Sequence, residues 1–267
     1  MRGLSNSFLL FVTGFVLISC NSGYPKIDLH AHLGRSLGNT TTADAFKKAS
    51  ERSKQMGITF GIAEELDYSD KRLNDSLLLD GIALAKKNLL YIGLQVSRRD
   101  WPDVYSKEVL KQLDYILADA LIFPDKEGKE MQIWNLDIPS GDPEEFMDLY
   151  VAHNLRVLTE AITIWANPTF LPVGLAPRYD ELWTDARMKI LIDAAVKNKI
   201  AIEINSRYKI PSAKFIKMAK AAGAHFTFGS NQHGTKIGDI YWSINMARKC
   251  GLRKDDFFIP RRQLSLN

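Results

Sequence analysis

The stretch Lys26-Ile27-Asp28-Leu29-His30-Ala31-His32 decides the fold, because it opens a pattern that repeats through the rest of the chain. A short apolar run is followed each time by a polar turn and then by a segment with helical periodicity. This order is the signature of parallel βα units. It predicts strands at residues 26–29, 58–63, 90–96, 115–120, 161–165, 200–204 and 225–229.

The segments between these strands carry helix start and stop signals. A helix over 43–56 is predicted to end at Gly57, and Ser212 is predicted to cap a helix that ends at Gly223. A turn-rich segment at 124–129, with apolar runs on both sides, predicts a β-hairpin. Further helices are predicted at 75–87, 143–154, 184–197 and 237–250.

Strands that alternate with helices build either an open nucleotide-binding sheet or a closed barrel. The Gly-x-Gly-x-x-Gly fingerprint that a nucleotide-binding sheet carries after its first strand is absent from this sequence. The sequence therefore predicts an α/β fold, a distorted (β/α)7 TIM-like barrel. No internal repeat and no Pro- or Ser-rich linker divides the chain, so residues 26–267 are expected to form one domain.

The composition is that of a globular protein, with 46% apolar and 25% charged residues among 267. The 35 basic and 31 acidic side chains are interspersed and give a net charge of only +4. A nucleic-acid partner is therefore not expected.

The first residues of the chain do not fit the barrel pattern. An apolar run at 8–18 follows Met1 and Arg2 and is too short to span a bilayer. Residues 1–19 are therefore predicted to be a signal peptide. They end in Leu17-Ile18-Ser19, and with the next residue, Cys20, this segment is similar to a bacterial lipobox, in which the cysteine is acylated.

The lipobox similarity implies a lipid on Cys20, a tether over 20–25 and an exported bacterial lipoprotein. Such a protein is anchored to a membrane, in the periplasm or at the cell surface. Cys250 would then have no partner for an internal disulfide. The alternatives are an ordinary secretory signal with an incidental cysteine, and a buried N-terminal strand.

In a barrel of this type, the chemistry lies at the carboxyl ends of the strands. His30 and His32 end the first strand on one face, roughly 6 to 7 Å apart, a spacing that suits two ligands of one metal. The other strand ends are also polar. For any one of them a hydrogen-bonded structural role is the simpler interpretation, but together they predict a convergent site. Its further members are Glu64, Glu65, Gln95, Asp119, Asn167, Glu203, Asn205, Asn231, Gln232 and His233.

Several of these motifs resemble the PHP (polymerase and histidinol phosphatase) superfamily, and the resemblance covers residues 27–252. It is carried by residues 28–32, 57–58, 201–205 and 229–233. It implies a distorted seven-unit βα barrel, and members of this family are usually phosphoesterases with two or three divalent metals. It also implies that His30, His32 and His233 are metal ligands.

The sequence departs from the family pattern at four strand ends. Ala63-Glu64-Glu65 stands where the family has Thr-Asp-His, and Gln95 stands where it has Glu. Asn167 replaces the His of a His-Pro pair, and Asn231 replaces the Asp of Asp-x-His. A carboxamide is a poor ligand for Zn²⁺ or Mn²⁺, so one such divalent ion is predicted rather than three.

Amidohydrolases also begin with His-x-His, but they need a bridging Lys or carboxylate and further histidines at strand ends. The two other histidines of this chain, His153 and His225, lie at no convincing position for that role. His153 is expected at the surface or at a helix cap.

Two functions follow from these residues. The first is metal-dependent hydrolysis of a phosphoester or related ester, in which Glu64, Glu65 or Glu203 completes the metal shell or acts as general base for a metal-activated water. The second is metal-free binding of a carbohydrate or sugar phosphate. In both, the ligand is a small molecule that can carry a negative charge. The residues expected to contact it are Arg35, Arg207 and the carboxamides Gln95, Asn167, Asn205 and Asn231, with Arg98, Arg99 and Lys209 also near the mouth.

Overall fold

Parallel strands joined by helical crossovers form the centre of the protein. The computed structural model describes residues 23–33, 43–65, 75–136, 142–233 and 236–261. The predicted signal peptide, the acylation site at Cys20 and the predicted substrate residue Arg35 lie outside these residues.

Ten strands and eight α-helices, joined by short 3-10 turns, make up the described chain. The strands are β1 (Ile27–His32), β2 (Thr59–Glu65), β3 (Tyr91–Val96), β4 (Tyr115–Ala118), β5 (Ile122–Pro124), β6 (Glu130–Gln132), β7 (Ile164–Trp165), β8 (Ala201–Asn205), β9 (Phe226–Gly229) and β10 (Gln232–His233). The helices are α1 (Ala43–Met56), α2 (Asp75–Lys87), α3 (Lys107–Leu110), α4 (Pro143–Val157), α5 (Tyr179–Leu182), α6 (Asp185–Lys197), α7 (Ala213–Ala221) and α8 (Tyr241–Lys249).

The main sheet curls back on itself. Its strands hydrogen-bond in the order β10-β1-β2-β3-β4-β7-β8-β9, and every pair is parallel. The strands at the two ends of this order belong to one run of chain, residues 226–233, which pairs first with β8 and then with β1. The predicted α/β class, with seven strand-helix units arranged as a TIM-like barrel, is confirmed.

A buried carboxylate holds the two ends of the sheet together. Asp28 in β1 accepts hydrogen bonds from the backbone N–H groups of Ser230 at 2.9 Å, Gly238 at 2.9 Å and His30 at 3.1 Å. Burial raises the pKa of Asp28, and the hydrogen bonds from Ser230, His30 and Gly238 oppose that rise. Asp28 is thus a structural residue that joins β1 to the chain on either side of β10.

One buried aromatic side chain packs against two glycines of the main sheet. Tyr115 of β4 lies over Gly93 on the adjacent strand β3 and over Gly61 on β2, one strand further. A Cβ atom at Gly93 would lie 2.2 Å from Cε2 of Tyr115, and one at Gly61 would lie 2.5 Å from its hydroxyl. Only glycine fits at these two positions, because the tyrosine ring occupies the space that a side chain would need.

Most of the predicted element boundaries hold. Helices α1 and α2 span the predicted residues, Ser212 caps α7, and β5 pairs with β6 as the predicted antiparallel hairpin. Trp165 and Trp183 are buried in the core. In the part of the chain that the structure describes, no helix has the length and apolar character needed to cross a membrane.

Several boundaries differ from the prediction by a few residues, as at β1, which extends to His32, and two of the differences have a clear physical reason. Helix α8 begins at Tyr241 instead of residue 237, because Gly238 has a φ of +88° and its N–H is bound to Asp28. Strand β7 covers only Ile164–Trp165, because α4 continues to Val157 and a turn occupies the residues between them.

Candidate ligand site at the mouth of the barrel

A row of buried polar side chains crosses the carboxyl ends of the strands. Both ring nitrogens of His30, in β1, are hydrogen-bonded. Nδ1 lies 2.6 Å from Glu203 Oε1, and Nε2 lies 3.0 Å from Gln95 Oε1. Nε2 of Gln95 in turn donates to Asp119 Oδ2 at 2.8 Å. These four residues, from Asp119 through Gln95 and His30 to Glu203, are called the sealed network below, and each is at most 7% exposed.

The orientation of Gln95 favours protonation of His30. Because the Gln95 amide nitrogen donates to the Asp119 carboxylate, its oxygen faces His30 and can only accept. The other ring nitrogen faces the Glu203 carboxylate. Burial alone lowers the pKa of His30, but the charge and hydrogen bond of Glu203 outweigh it and raise the pKa. Both ring nitrogens of His30 thus face a hydrogen-bond acceptor, and the raised pKa favours the protonated ring.

Three asparagines extend the sealed network. The second oxygen of Glu203 accepts from the backbone N–H of Asn167 at 2.7 Å and from Asn205 Nδ2 at 3.1 Å. Asn167 Oδ1 accepts from Asn205 Nδ2 and Asn231 Nδ2, both at 2.9 Å. Asn167 and Asn231 both have φ of 47°, a left-handed conformation that asparagine tolerates better than most residues. The three carboxamides therefore hydrogen-bond to one another, and Asn167 and Asn231 also line the cavity described below.

The three histidines predicted as metal ligands lie close together. The ring centroids of His30 and His32 are 5.0 Å apart, and His233 stacks on His32 at 4.6 Å. Burial, followed by the nearby positive charges of His30 and His233, holds the pKa of His32 well below its usual range. Both nitrogens of His30 are engaged in this arrangement, Nδ1 by Glu203 and Nε2 by Gln95.

Of the three glutamates predicted as a fourth ligand or base, only Glu203 has a described side chain. Glu203 is fully buried and already accepts three hydrogen bonds. Glu64 and Glu65 end β2, but their side chains lie outside the described atoms. Among the side chains that are described, no three His, Cys, Asp or Glu residues are grouped to hold a metal ion.

A polar cavity of about 270 Å³ opens above the sealed network, and we call it the mouth cavity. Gln95 and Asp119 form part of its wall, and burial raises the pKa of Asp119. Arg207 reaches in from the loop after β8, donates to the Asn231 carbonyl oxygen at 3.1 Å and lies 5.5 Å from the centre of the Tyr208 ring. The remaining wall residues are Ser97, Leu121, Trp134, Asn167, Tyr208, Asn231 and His233.

A larger cavity of about 650 Å³ adjoins the mouth cavity, and we call it the apolar cleft. The two share the wall residues Trp134, Arg207 and Tyr208, so they lie side by side. Sequence reasoning identified Arg207 and Asp119 but missed Trp134 and Tyr208. The one available signal for Tyr208 was its position, three residues after the end of β8.

Two predicted basic residues are not at the mouth. Arg98 pairs with Glu130 at 3.0 Å, and Arg99 pairs with Glu160 at 3.1 Å, beside a separate cavity of about 340 Å³. His153 lines that same cavity and is only 9% exposed, so its expected surface position is wrong. Its ring stacks on Phe123 of the hairpin, which covers this face of α4.

Comparisons with known proteins give only distant similarities. No family model matches the chain, and no curated protein matches its sequence. The chain is similar to a β-mannanase of Thermomonospora fusca in complex with mannotriose, with 14% identity and a TM-score of 0.48 over 86% of this chain and 76% of that chain.

Two further solved structures are similar at comparable levels. The β-mannanase of Streptomyces thermolilacinus with mannohexaose has 14% identity and a TM-score of 0.43, over 85% of this chain and 76% of that chain. A chain of an archaeal ribonuclease P with mature tRNA has 11% identity and a TM-score of 0.42, over 84% of this chain and 87% of that chain. The fold assignment therefore rests on the strand pairing of this chain itself.

Proposed function

We propose that this chain binds a carbohydrate or sugar phosphate at the mouth of the barrel without a metal ion. The observation that carries the proposal is the position of His30 between Glu203 and Gln95. In this arrangement hydrogen bonds occupy the two ring nitrogens that a metal would need. The polar mouth cavity lies above these hydrogen-bonded residues.

The wall of the mouth cavity has the chemistry that suits a sugar. Carboxamide, hydroxyl and imidazole groups offer hydrogen bonds, and the aromatic rings of Trp134 and Tyr208 offer flat apolar faces for C–H groups. Arg207 supplies a guanidinium, which favours a ligand with a phosphate or carboxylate.

We also propose that the chain is a divergent PHP-like barrel. The three matched histidines lie close together, and the residues that depart from the family pattern, Gln95, Asn167 and Asn231, belong to the same hydrogen-bonded cluster. In this proposal, hydrogen bonds occupy the place that metal coordination has in the family.

Metal-dependent hydrolysis of a phosphoester is the second candidate. It is favoured by the close approach of the rings of His30, His32 and His233. It requires His30 to give up its contact with Gln95, so a dependence of ligand binding on metal separates the two candidates.

The test is calorimetric titration of the purified full chain with glucose, mannose, galactose and their 6-phosphates, with and without EDTA. We expect at least one sugar to bind with the same affinity in both conditions, and Arg207→Ala to weaken a bound sugar phosphate about tenfold or more. Arg98→Ala, which changes a half-exposed arginine outside the mouth, is the control. Binding that EDTA abolishes and Zn²⁺ or Mn²⁺ restores would support the hydrolase, and no binding of any sugar would overturn the proposal.

We further propose that the protein is exported and anchored by a lipid on Cys20. The support is the order of charged, apolar and small residues in 1–20. Expression with a radiolabelled fatty acid should label the wild type and leave Cys20→Ser unlabelled. Equal membrane attachment of both proteins would refute the anchor.

A further inference from the structure

The apolar cleft differs in chemistry from the mouth cavity that it adjoins. Its wall consists mainly of Trp134, Phe170, Leu171, Val173, Ala176 and Ile210. Val173 is 73% exposed and Trp134 is 39% exposed, although both are large apolar residues beside a depression of about 650 Å³. A ligand that covers them would remove apolar surface from water.

The polar atoms deep in this cleft are already bound within the protein. The Tyr179 hydroxyl donates to Thr169 Oγ1 at 2.6 Å and accepts from the backbone N–H of Ser212 at 3.2 Å. The Ser212 hydroxyl accepts from the backbone N–H of Phe215 as the cap of α7. A sugar hydroxyl placed there would lose its water without gaining a full set of new partners, which costs free energy.

The cleft is built on a loop with internal support. Asn205 and Ile210 exchange backbone hydrogen bonds at 2.8 and 3.3 Å, and Asn205 Oδ1 accepts from the backbone N–H of Tyr208 at 3.0 Å. Phe170 contacts the Tyr208 ring edge-on, with centroids 4.8 Å apart. Lys209 has a left-handed φ of 57° at the tip of this turn. The walls are therefore preformed, which lowers the entropic cost of binding.

Arg207 lies at the boundary between the two cavities and lines both of them. We propose that the ligand of this chain is a sugar that carries an apolar aryl or alkyl substituent. The sugar occupies the mouth cavity, and the substituent occupies the apolar cleft. This inference rests on the proposed function, because it assigns the second half of a ligand whose first half is the sugar.

The test compares ligands that differ only in the apolar group. The 4-nitrophenyl and methyl β-glycosides of glucose, mannose and galactose are titrated into the full chain by calorimetry. For at least one sugar, we expect the 4-nitrophenyl glycoside to bind about tenfold or more tightly than the methyl glycoside, because the ring covers apolar wall. The nitrophenyl group of the bound glycoside should also quench the fluorescence of Trp134. That fluorescence is obtained by subtracting the emission of the Trp134→Phe variant from the emission of the wild type.

A matched pair of surface variants locates the effect. Val173→Asp places a carboxylate at the exposed wall of the cleft and should abolish the preference for the aryl glycoside while binding of the methyl glycoside persists. Ile190→Asp makes the same change at a 45% exposed residue on α6, outside the cleft, and should keep the preference. Melting curves check that both variants fold.

The outcomes separate the inference from the proposed function. Equal affinity for the two glycosides of a sugar that binds, or loss of the preference in both variants, overturns the inference and leaves the proposed function standing. Failure of every methyl and aryl glycoside to bind overturns the inference, and the titration with free sugars and their 6-phosphates then decides the proposed function on its own.

Discussion

The two halves of the barrel mouth are built in opposite ways. In the sealed network, His30 and Glu203 are fully buried. Both ring nitrogens of His30 and both carboxylate oxygens of Glu203 are hydrogen-bonded within the protein. In the apolar cleft, Trp134 and Val173 are exposed beside an open volume of about 650 Å³. The motif residues are paired with one another beneath the polar mouth cavity, whereas the apolar cleft, which no sequence motif marks, has open apolar walls.

The difference shows that residues whose pattern in the sequence indicates a functional site can instead stabilise the fold. A buried ion pair is costly to break, because removal of one partner leaves an uncompensated charge in a medium of low dielectric. An exposed side chain on the wall of a cleft has no comparable role in folding. Mutations in the two halves should therefore separate stability from binding.

The largest effect is expected from Glu203→Ala. It leaves the protonated form of His30 without its carboxylate and removes the acceptor of the Asn167 N–H. We expect a loss of about 3 to 5 kcal/mol in the free energy of unfolding, measured by urea denaturation. Val173→Ala in the apolar cleft should change it by no more than about 0.5 kcal/mol. Equal losses in the two variants would show that the sealed network is not the stabilising half.

A smaller effect is expected from Asn231→Asp. The change restores the carboxylate of the PHP pattern, but it replaces the amide that donates to Asn167 Oδ1 with an oxygen that repels it. Aspartate tolerates the left-handed φ of this position as asparagine does, so the backbone is not strained. We expect a loss of about 1 to 3 kcal/mol and no gain in Zn²⁺ or Mn²⁺ binding by calorimetry. A gain in affinity for Zn²⁺ or Mn²⁺ would instead support the metal-dependent hydrolase.

The smallest effect concerns pH, where two buried histidines respond in opposite directions. Glu203 raises the pKa of His30 against the effect of burial, whereas burial and the charges of Arg99 and Arg156 lower the pKa of His153 to about 4. Between pH 6.5 and 4, His153 is protonated in the unfolded chain but stays neutral in the folded chain. The free energy of unfolding therefore falls as the pH falls toward 4. For His30 the stabilising contribution is present below pH 6.5 and is lost as pH rises through its raised pKa.

His153→Gln isolates the acid side of this response. It should reduce the loss of stability between pH 6.5 and 5.5 by about 1 kcal/mol, measured as urea denaturation at each pH. The difference between variant and wild type at pH 7.5 gives the effect of the substitution on packing, which is subtracted. Identical acid slopes would mean that His153 takes up a proton as easily in the folded chain as in the unfolded one.

The sequence was informative wherever the signal was local. The stop at Gly57, the cap at Ser212 and the turn at Asp125 each act on the backbone within a few residues, and the elements that they bound lie where they were predicted. It was less informative where a distant contact changes the backbone, as at Gly238, whose N–H is held by Asp28. His153 was assigned to the surface because the sequence does not show that the hairpin covers its helix.

By itself, the sequence determined the α/β class, the seven strand-helix units and the gathering of polar residues at the strand ends, because side-chain periodicity and turn chemistry are encoded over short stretches. Only the tertiary structure decided what those polar residues do. His30 contacts Gln95 and Glu203, which lie 65 and 173 residues away in the chain. Whether a histidine keeps a lone pair for a metal depends on which side chains meet its two nitrogens, and that is fixed by the curl of the sheet.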